Sequence, residues 1–442
     1  MAMNSGLPFK TSHTIAWFTA ILCLLPFRAF SAHGAQFIDV AQSVLAESPE
    51  IHISRQDMEI AATEKKIVRS SYLPQLTFNI EGGGVTENYS DNDNDYGELS
   101  TTIALSQNLI DMPQLYEIRS SDIRYKKAVA NYIQAQQNIL YELALNWSEY
   151  WKNLHRLETG HKDVDILSAY LEGAKIRFEA GDLTITDVWL AESKLQGSKA
   201  KLLRYTREVE RAKEALQKTT GTPAPKSIDL ISFNENNQLF PSLDRALAYH
   251  PFLQPLLAEQ QALDQDVKRE KAGHLPTLAT VARYKYQPAG EYDSERYPYN
   301  EGYVGIELNL DLYSGGGTSA RTKKALGNKI RQGFEIADVK RELTRKILTA
   351  QSNYQQSGEE LLLSERRLQF AKQTLEGMIE EFQTGTRTLV DVFLSQAEMT
   401  TARLEVIDAK EQHTRFIFDY LHALGLLNIE TLQSSLTLWV YP

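Results

Sequence analysis

One stretch of this chain occurs twice, and its repetition limits the possible folds more than any other feature of the sequence. Residues 177–195 read RFEAGDLTITDVWLAESKL, and residues 381–399 read EFQTGTRTLVDVFLSQAEM. At a constant shift of 204 positions the identical pairs are Phe178 and Phe382, Gly181 and Gly385, Thr184 and Thr388, Asp187 and Asp391, Val188 and Val392, and Leu190 and Leu394. A shift that is held over the whole stretch indicates an internal duplication.

Each copy carries the residues of a tight turn between two helices. Only glycine takes the left-handed backbone conformation at a helix C-terminus without a steric penalty from a Cβ atom. Gly181 and Gly385 are therefore predicted to end one helix each, and the Thr and Asp residues that follow can cap the next helix. We expect a long helical hairpin around each glycine, although unrelated helical hairpins can use the same turn.

Other landmarks recur at nearly the same shift. Residues 44–51 match residues 246–253, residues 73–76 match residues 275–278, and residues 105–111 match residues 308–314. The chain is therefore predicted to consist of two similar halves, rather than the three domains that 442 residues would suggest. The predicted division is a first repeat at 36–221, a linker or equatorial segment at 222–242, a second repeat at 243–427 and a C-terminal equatorial segment at 428–442.

Each half contains two stretches in which apolar and polar residues alternate, which is typical of a strand with one apolar face. The first begins Leu76, Phe78, Ile80, and a weaker alternation covers residues 99–106. In the second half the alternating stretches are residues 278–286 and 304–312. Polar residues 87–96 are predicted to form the loop between the first two strands, and the glycines at 315–317 are predicted to end the last one.

Four strands of about ten residues match the height of a bilayer. An open sheet leaves backbone groups unpaired at its edges, and a closed barrel needs about eight strands or more. One chain therefore cannot close a barrel, and several chains are expected to contribute to it. A soluble sheet packed on the helices is the alternative interpretation.

The rest of each half has a helical pattern. Residues 37–70 are predicted to be helical, and residues 113–180 would reach about 100 Å as one helix. Gly160 and Gly173 lie within the second of these stretches and could break or bend it. The apolar stripe is modest and rich in alanine, which favours close packing of neighbouring helices in a coiled-coil-like wall.

The N-terminal segment and the charge restrict the location and the partners. Residues 1–35 have the layout of a secretory signal peptide, with Lys10 before an apolar run and small residues after it. The single cysteine, Cys23, lies inside this segment, so the mature chain would contain no thiol. The net charge of −10 argues against nucleic-acid binding.

No sequence motif indicates a cofactor, a metal ion or a catalytic site. The nine histidines are scattered, and no nucleophile–base pair can be argued from spacing. The run DNDND at 91–95 lacks the glycine and the final glutamate of an EF-hand loop. We therefore expect neither a cofactor nor enzymatic activity.

With its two glycine turns and two Leu-Pro strand entries, the chain resembles the TolC family of outer-membrane efflux and secretion ducts from about residue 37 to residue 427. The most specific stretch is GTRTLVDV at 385–392, with GDLTITDV at 181–188 as its partner. The resemblance implies a mostly helical homotrimer whose twelve strands form one barrel in the outer membrane of a Gram-negative cell. The helices would continue from this barrel as a tunnel through the periplasm.

The resemblance also implies a gate at the periplasmic end, where neighbouring hairpins are linked. The linking arginine corresponds to Arg387, and its partners correspond to Thr186 and Asp187. A family tyrosine that also bonds this aspartate is replaced by Phe382, which has no hydroxyl group. One of two acidic rings facing the lumen corresponds to Asp391. The other ring falls at Leu394, so the gate and its block by cations are expected to be weaker than in the family.

These features predict a passive export duct of a tripartite efflux pump or a type I secretion system. The partners implied are the outer-membrane lipid, a periplasmic adaptor that docks at the turns around Gly181 and Gly385, and an inner-membrane transporter of the ABC or RND type. A non-conducting protein that bridges envelope layers is the alternative, and a secreted hydrolase is disfavoured by the duplicated turns and amphipathic strands. The exported substrate is not specified by the sequence.

Overall fold

The computed structural model describes residues 32–89, 92–231, 241–288 and 298–435. Most of the predicted signal peptide, residues 1–31, lies outside this part of the chain. The described helices are α1 (Ala32–Glu47), α2 (Pro49–Ser70), α3 (Met112–Glu179), α4 (Ile185–Thr220), α5 (Leu243–Ala248), α6 (Gln254–Ala272), α7 (Gly317–Gln383), α8 (Leu389–Ala423) and α9 (Ile429–Ser435). The described strands are β1 (Gln75–Tyr89), β2 (Asn92–Ile110), β3 (Thr277–Gln287) and β4 (Tyr299–Asn309). The predicted mostly helical chain with four strands is confirmed.

Helices α3 and α7 span 68 and 67 residues, and each is the long arm of a hairpin. At about 1.5 Å per residue both reach about 100 Å. Helix α3 packs on α2 and α6 over one part of its length and on α4 and α8 over another, while α7 packs on α6 and α8. The molecule is therefore a layer of long helices that continues from a sheet.

The break considered at Gly160 and Gly173 does not occur, since α3 is continuous from Met112 to Glu179. Gly160 is instead a point of close contact with side chains of α4. A Cβ atom added there would lie 2.8 Å from Cδ2 of Tyr205 and 3.3 Å from a methyl group of Leu202. The absence of a side chain, rather than backbone flexibility, is what this position requires.

The predicted N-terminal helical stretch at residues 37–70 is two helices rather than one. Helix α1 ends at Glu47, and α2 begins at Pro49 after an N-cap serine, Ser48, in the extended conformation. Proline lacks an N–H group and disfavours helical geometry at the residue before it, so it ends one helix and suits the first position of the next. This break leaves α1 on the central core and α2 alongside α3.

The four strands form one antiparallel sheet in the order β1-β2-β3-β4. Strands β1 and β2 have 15 and 19 residues, so they are longer than the predicted ten. The loop predicted at residues 87–96 is wrong for most of its length, because the two strands stay paired up to Tyr89 and Asn92. The fourth strand also differs from the prediction: β4 ends at Asn309, and the glycines at 315–317 lead into α7.

The strand register brings apolar residues from all four strands onto one face. Phe78 lies opposite Ile103, which lies opposite Tyr284 of β3. Further along the same face, the paired residues are Leu76 with Leu105, Leu105 with Ala282, Ala282 with Val304, Thr280 with Ile306, and Leu278 with Leu308. Most of this face is exposed, and Val304 is 82 % exposed. A continuous apolar surface of this kind needs a covering.

The largest buried cluster lies midway along the helices, where α1, α3, α4 and α8 meet. Trp147 is 1 % exposed, and Phe37 packs edge-on against it with ring centroids 5.4 Å apart. The Trp147 indole N–H donates to the carbonyl of Asp229 at 2.9 Å, and Ile228 and Ile231 are buried beside it. The described part of residues 222–242 therefore packs against α3.

No helix in the described part of the chain combines the length and the apolarity that a membrane crossing requires.

Candidate functional site

The two hairpin turns have the same backbone structure, which the sequence specifies through glycine. Gly181 and Gly385 have φ values of 85° and 79°. After Gly181, the N–H group of Asp182 donates back to the carbonyl of Arg177 at 2.8 Å, and the corresponding bond of the second turn is 2.9 Å long. Each bond satisfies a carbonyl group that the helix end leaves without a partner.

Threonine and aspartate residues start the second helix of each hairpin by the same mechanism. The Asp187 carboxylate accepts from the Thr184 backbone N–H at 2.9 Å, and the Asp187 N–H donates to the Thr184 hydroxyl. Asp391 and Thr388 repeat this capping box, with the first bond at 3.0 Å. These hydrogen bonds from the Thr388 backbone and hydroxyl lower the pKa of Asp391. Both aspartates thus cap helices in addition to the gate roles predicted for them.

Arg387 forms an ion pair within its own hairpin. Its Nε atom donates to Oε2 of Glu381 at 2.7 Å, and this hydrogen bond raises the pKa of the guanidinium. Both side chains are about half exposed. Among the described residues of the single chain, no hydrogen bond joins Arg387 to Thr186 or Asp187. The latch between neighbouring hairpins stays a prediction.

Phe382 contacts a cation from the other hairpin. The guanidinium of Arg177, at the end of α3, lies over the Phe382 ring at 4.5 Å from its centroid. A cation over an aromatic face is attracted by the ring quadrupole, so this contact links the ends of α3 and α7 without a hydroxyl group. Arg177 was not among the site residues predicted from the sequence. Its position could have been noticed because the equivalent residue of the second repeat, Glu381, carries the opposite charge.

An apolar cluster, here called the tip cluster, joins the two hairpins near their ends. Its buried members are Leu167, Leu171, Ala174, Ala191, Leu195, Leu389 and Phe393. Phe393 is 2 % exposed and meets Tyr170 edge-on, with ring centroids 5.8 Å apart. Five of the seven members come from the first repeat, and α8 of the second repeat covers them. Leu394, the position expected in the second acidic ring, is 60 % exposed.

Polar contacts between α3 and α8 extend this junction away from the tips. Asp163 of α3 accepts from the Ser198 hydroxyl at 2.6 Å and from the Thr400 hydroxyl at 2.9 Å, which connects α3 with both α4 and α8. Arg156 forms a two-pronged ion pair with Asp408 at 2.9 and 2.6 Å. Such bidentate pairs favour one relative position of the two helices. Neither contact could be inferred from spacing in the sequence.

Within the described ranges, no group of three or more His, Cys, Asp or Glu side chains is arranged to hold a metal ion. The tips of the two hairpins instead contain two matching turns, each with charged residues and an exposed glycine. The chemistry available at the tips is reversible hydrogen bonding and packing between hairpins.

Comparisons with known proteins agree with this geometry. A model of the family described as "Outer membrane efflux protein" matches residues 40–222 and 242–415. The outer membrane protein TolC of Vibrio cholerae serotype O1 is 25 % identical over 373 residues, which cover 81 % of this chain and 84 % of that protein. The alkaline protease secretion protein AprF of Pseudomonas aeruginosa is 23 % identical over 433 residues, with 93 % and 86 % covered. The crystal structure of the outer membrane protein VceC of Vibrio cholerae superposes with a TM-score of 0.77 at 19 % identity, over 88 % of this chain and 96 % of that one.

Proposed function

The chain belongs to the outer membrane efflux protein family, and we propose that three copies of it form one duct from the periplasm through the outer membrane. It is an outer-membrane channel that serves efflux or type I secretion. The observation that supports a trimeric duct is the exposed apolar face to which all four strands contribute. A surface of this kind is stable against lipid, provided that the edges of the sheet are paired.

The edges of the sheet support assembly from several chains. Strands β1 and β4 each pair with one neighbour only among the described residues, so two edges are open in the single chain. If β4 of one copy pairs with β1 of the next, three copies form a closed barrel of twelve strands. The opposite face, which carries Glu307 and Arg283, would then line a water-filled lumen.

The helices supply the periplasmic part. Helices α3 and α7 extend about 100 Å from the sheet, and the turns at Gly181 and Gly385 lie at their far ends. Six such turns would surround the mouth of a trimer, where the helices of a periplasmic adaptor could pack. The adaptor would join the channel to an inner-membrane transporter of the ABC or RND type. The name of AprF refers to the secretion of a protease, so a polypeptide is one class of cargo that fits.

We propose that Arg387 acts as a latch that closes the mouth at rest, and that it exchanges between two alternative sets of partners. Arg387 now pairs with Glu381 in its own hairpin, with both groups half exposed. In the closed trimer it would bond Thr186 and Asp187 of a neighbouring hairpin instead. An exposed ion pair contributes little to stability, so exchange between the partners is easy. The contact of Phe382 with Arg177 would hold the two hairpins of one chain together during this exchange.

Conductance in a planar lipid bilayer tests this function. The unaltered protein should form discrete channels of low conductance, and Arg387→Ser should raise the conductance while the trimer remains intact. Asp187→Asn should act in the same direction, and the double variant should add little, as expected for two partners of one bond. Asp391→Asn should relieve block by multivalent cations without opening the channel. Arg341, an exposed residue of α7 that pairs with Asp338, offers a matched control as Arg341→Ser.

The same measurement separates the alternative functions. A bridging protein without a channel would assemble and cofractionate with the outer membrane, but it would not conduct in any variant. A hydrolase would require a catalytic arrangement, and the matched relatives are named for the outer membrane and for secretion. If Arg387→Ser conducts like the unaltered protein at low ionic strength, where screening is weakest, the latch is wrong and helix packing alone closes the mouth.

A further inference from the structure

The polar face of the sheet, which lines the lumen in the proposed assembly, carries one cation that no carboxylate directly opposite it balances. Among the described side chains of this face, the cations are Arg283 and Lys285 of β3. In the strand register Lys285 lies opposite Glu301, whereas Arg283 lies between Tyr303 of β4 and Ala104 of β2. Arg283 is exposed, and no carboxylate of the described residues forms an ion pair with it. Its charge is therefore available to a group in the lumen.

The neighbour of this arginine, Tyr303, lies along its own strand over the backbone of Gly305. A Cβ atom added at Gly305 would lie 2.6 Å from Cζ of Tyr303, so the ring occupies the space that a side chain would fill. Val281, opposite Gly305, is only 8 % exposed although it belongs to the polar face. An apolar patch of Val281 and Tyr303 thus lies beside Arg283 on an otherwise polar surface.

The tyrosine ring positions the arginine without neutralising it. The guanidinium carbon of Arg283 lies 6.0 Å from the centroid of the Tyr303 ring, at the outer limit of a cation–π contact. No described residue takes up the N–H donors of Arg283 in a hydrogen bond. A guanidinium offers these donors as a planar fork that matches the oxygen atoms of carboxylate and phosphate groups. The chemistry available here is therefore the binding of an anion.

Assembly would place three such groups around one axis. Twelve strands about 4.8 Å apart and tilted by about 40° give a barrel radius of about 12 Å at the backbone. The three copies of Arg283 would then lie at one level, about 20 Å apart at the backbone and closer at their side chains. A ring of arginine or lysine side chains is the arrangement by which pores select anions and phosphate. A narrow lumen with a low-dielectric wall strengthens the field of such a ring.

We propose that Arg283, positioned by Tyr303, forms with its two symmetry copies a lumenal site for anionic groups of the cargo, such as carboxylate, sulfate or phosphate. This inference rests on the proposed trimeric duct, and it gives the strand part a charge preference opposite to that of the proposed acidic ring at Asp391. Glu307 lies four residues from Tyr303, about 14 Å along the strand, which exceeds the screening length of about 8 Å at physiological salt. Glu301, which is closer, lies opposite Lys285.

Block of the single-channel current by tripolyphosphate tests this site in the complete protein, reconstituted in a planar bilayer. Tripolyphosphate should reduce the current of the unaltered channel in a concentration-dependent manner. Arg283→Gln should raise the half-blocking concentration by about tenfold or more, because one charge is lost from each of three copies. Arg283→Lys keeps the charge but not the planar fork, so it should raise this concentration by about threefold.

A matched control removes charge from the same face without changing its sum. Lys285→Gln combined with Glu301→Gln eliminates a cation and the carboxylate opposite it. The half-blocking concentration should then change by less than about twofold, because the ring of Arg283 remains. An equal loss of block in this double variant and in Arg283→Gln would contradict a specific site.

Two substitutions without any change of charge test the role of the tyrosine. Tyr303→Leu removes the aromatic face, and Gly305→Ala displaces the ring from its place on the strand. Each should weaken the block by about threefold, and their combination should weaken it no more than Tyr303→Leu alone, because both act through one ring. An arginine that acts only through its net charge would be blocked equally in all three variants.

The outcomes separate this site from the channel function. If the channels conduct and tripolyphosphate blocks Arg283→Gln as well as the unaltered protein, the anion site is wrong and the channel function stands. Failure of Arg283→Gln to form trimers would show a structural role for this residue and would also count against the site. If the unaltered protein forms no channels, the site and the channel function are both wrong.

Discussion

The apolar face of the sheet predicts that single arginine substitutions along β4 will lower the stability of the protein to a graded extent. Val304 is the sixth of the eleven residues of this strand, so it lies at the strand centre. Leu308, four residues further, lies about 14 Å away along the strand at roughly 3.4 Å per residue. A strand tilt of about 40° reduces this to about 10 Å along the membrane normal. The apolar band of an outer-membrane barrel is about 25 Å tall, so Leu308 lies close to its boundary.

The cost of a charge depends on this depth. Val304→Arg should destabilise the folded protein by about 2–4 kcal/mol per copy, because the guanidinium would lie at the bilayer midplane. Leu308→Arg should cost about 0–1 kcal/mol, because it lies near the interface. Ile306→Arg should fall between them. Glu307→Arg places the same side chain on the opposite face, where water is expected, and serves as the matched control.

Denaturant titrations of each variant refolded into phospholipid vesicles measure these differences as shifts of the unfolding midpoint at constant slope. The trimer contains three copies, so the loss of assembled protein will be larger than the value for one copy. Two results would refute the reasoning. Glu307→Arg could be as costly as Val304→Arg, which would mean that both faces meet lipid or neither does. Equal costs at Val304 and Leu308 would mean that the strand does not cross the membrane at the assumed tilt.

Three further predictions concern the helices. Glu381→Gln should release Arg387 from its own hairpin, favour the latch between hairpins and lower the single-channel conductance, whereas higher conductance would exclude the proposed exchange. Gly160→Leu should cost about 1–3 kcal/mol in thermal unfolding, because its side chain meets Tyr205, and Tyr205→Ala in the same chain should recover part of the loss. Burial lowers the pKa of His422 to about 4, from about 6.5 in the unfolded chain. The contribution of neutral His422 to the stability of the folded state is therefore fully present above pH 6.5 and is lost as the pH falls towards 4. The stability of the His422→Asn variant should depend less on pH over this range.

Much of the fold could be predicted because it depends on local sequence patterns. The positive φ values at Gly181 and Gly385 follow from the lack of a Cβ atom, and the capping boxes follow from Thr and Asp three residues apart. The outward direction of Leu76 and Phe78 follows from the two-residue period of a strand. Each of these properties is determined by a few neighbouring residues, so the sequence is sufficient to predict it.

The ends of the strands could not be predicted as accurately, because they depend on pairing between chain segments. The polar run at residues 87–96 has the composition of a loop, yet it continues the ladder between β1 and β2. Conversely, the alternation after Asn309 reads as a strand but lies outside β4. Backbone hydrogen bonds with a neighbouring strand decide both cases, and the alternation of a single segment carries no information about them.

The sequence by itself determined that the chain is duplicated, that its hairpins turn at glycine and that its strands have one apolar face. Only the tertiary structure decided which repeat is covered by the other. Phe393 and Trp189 occupy equivalent places in nearly equivalent sequences, yet one is 2 % exposed and the other 64 %. Likewise, the partners of Arg387 and Phe382 are set by side chains that the turns bring together in space. Burial and charge pairing depend on neighbours that are distant in the chain, and a repeated local pattern cannot distinguish them.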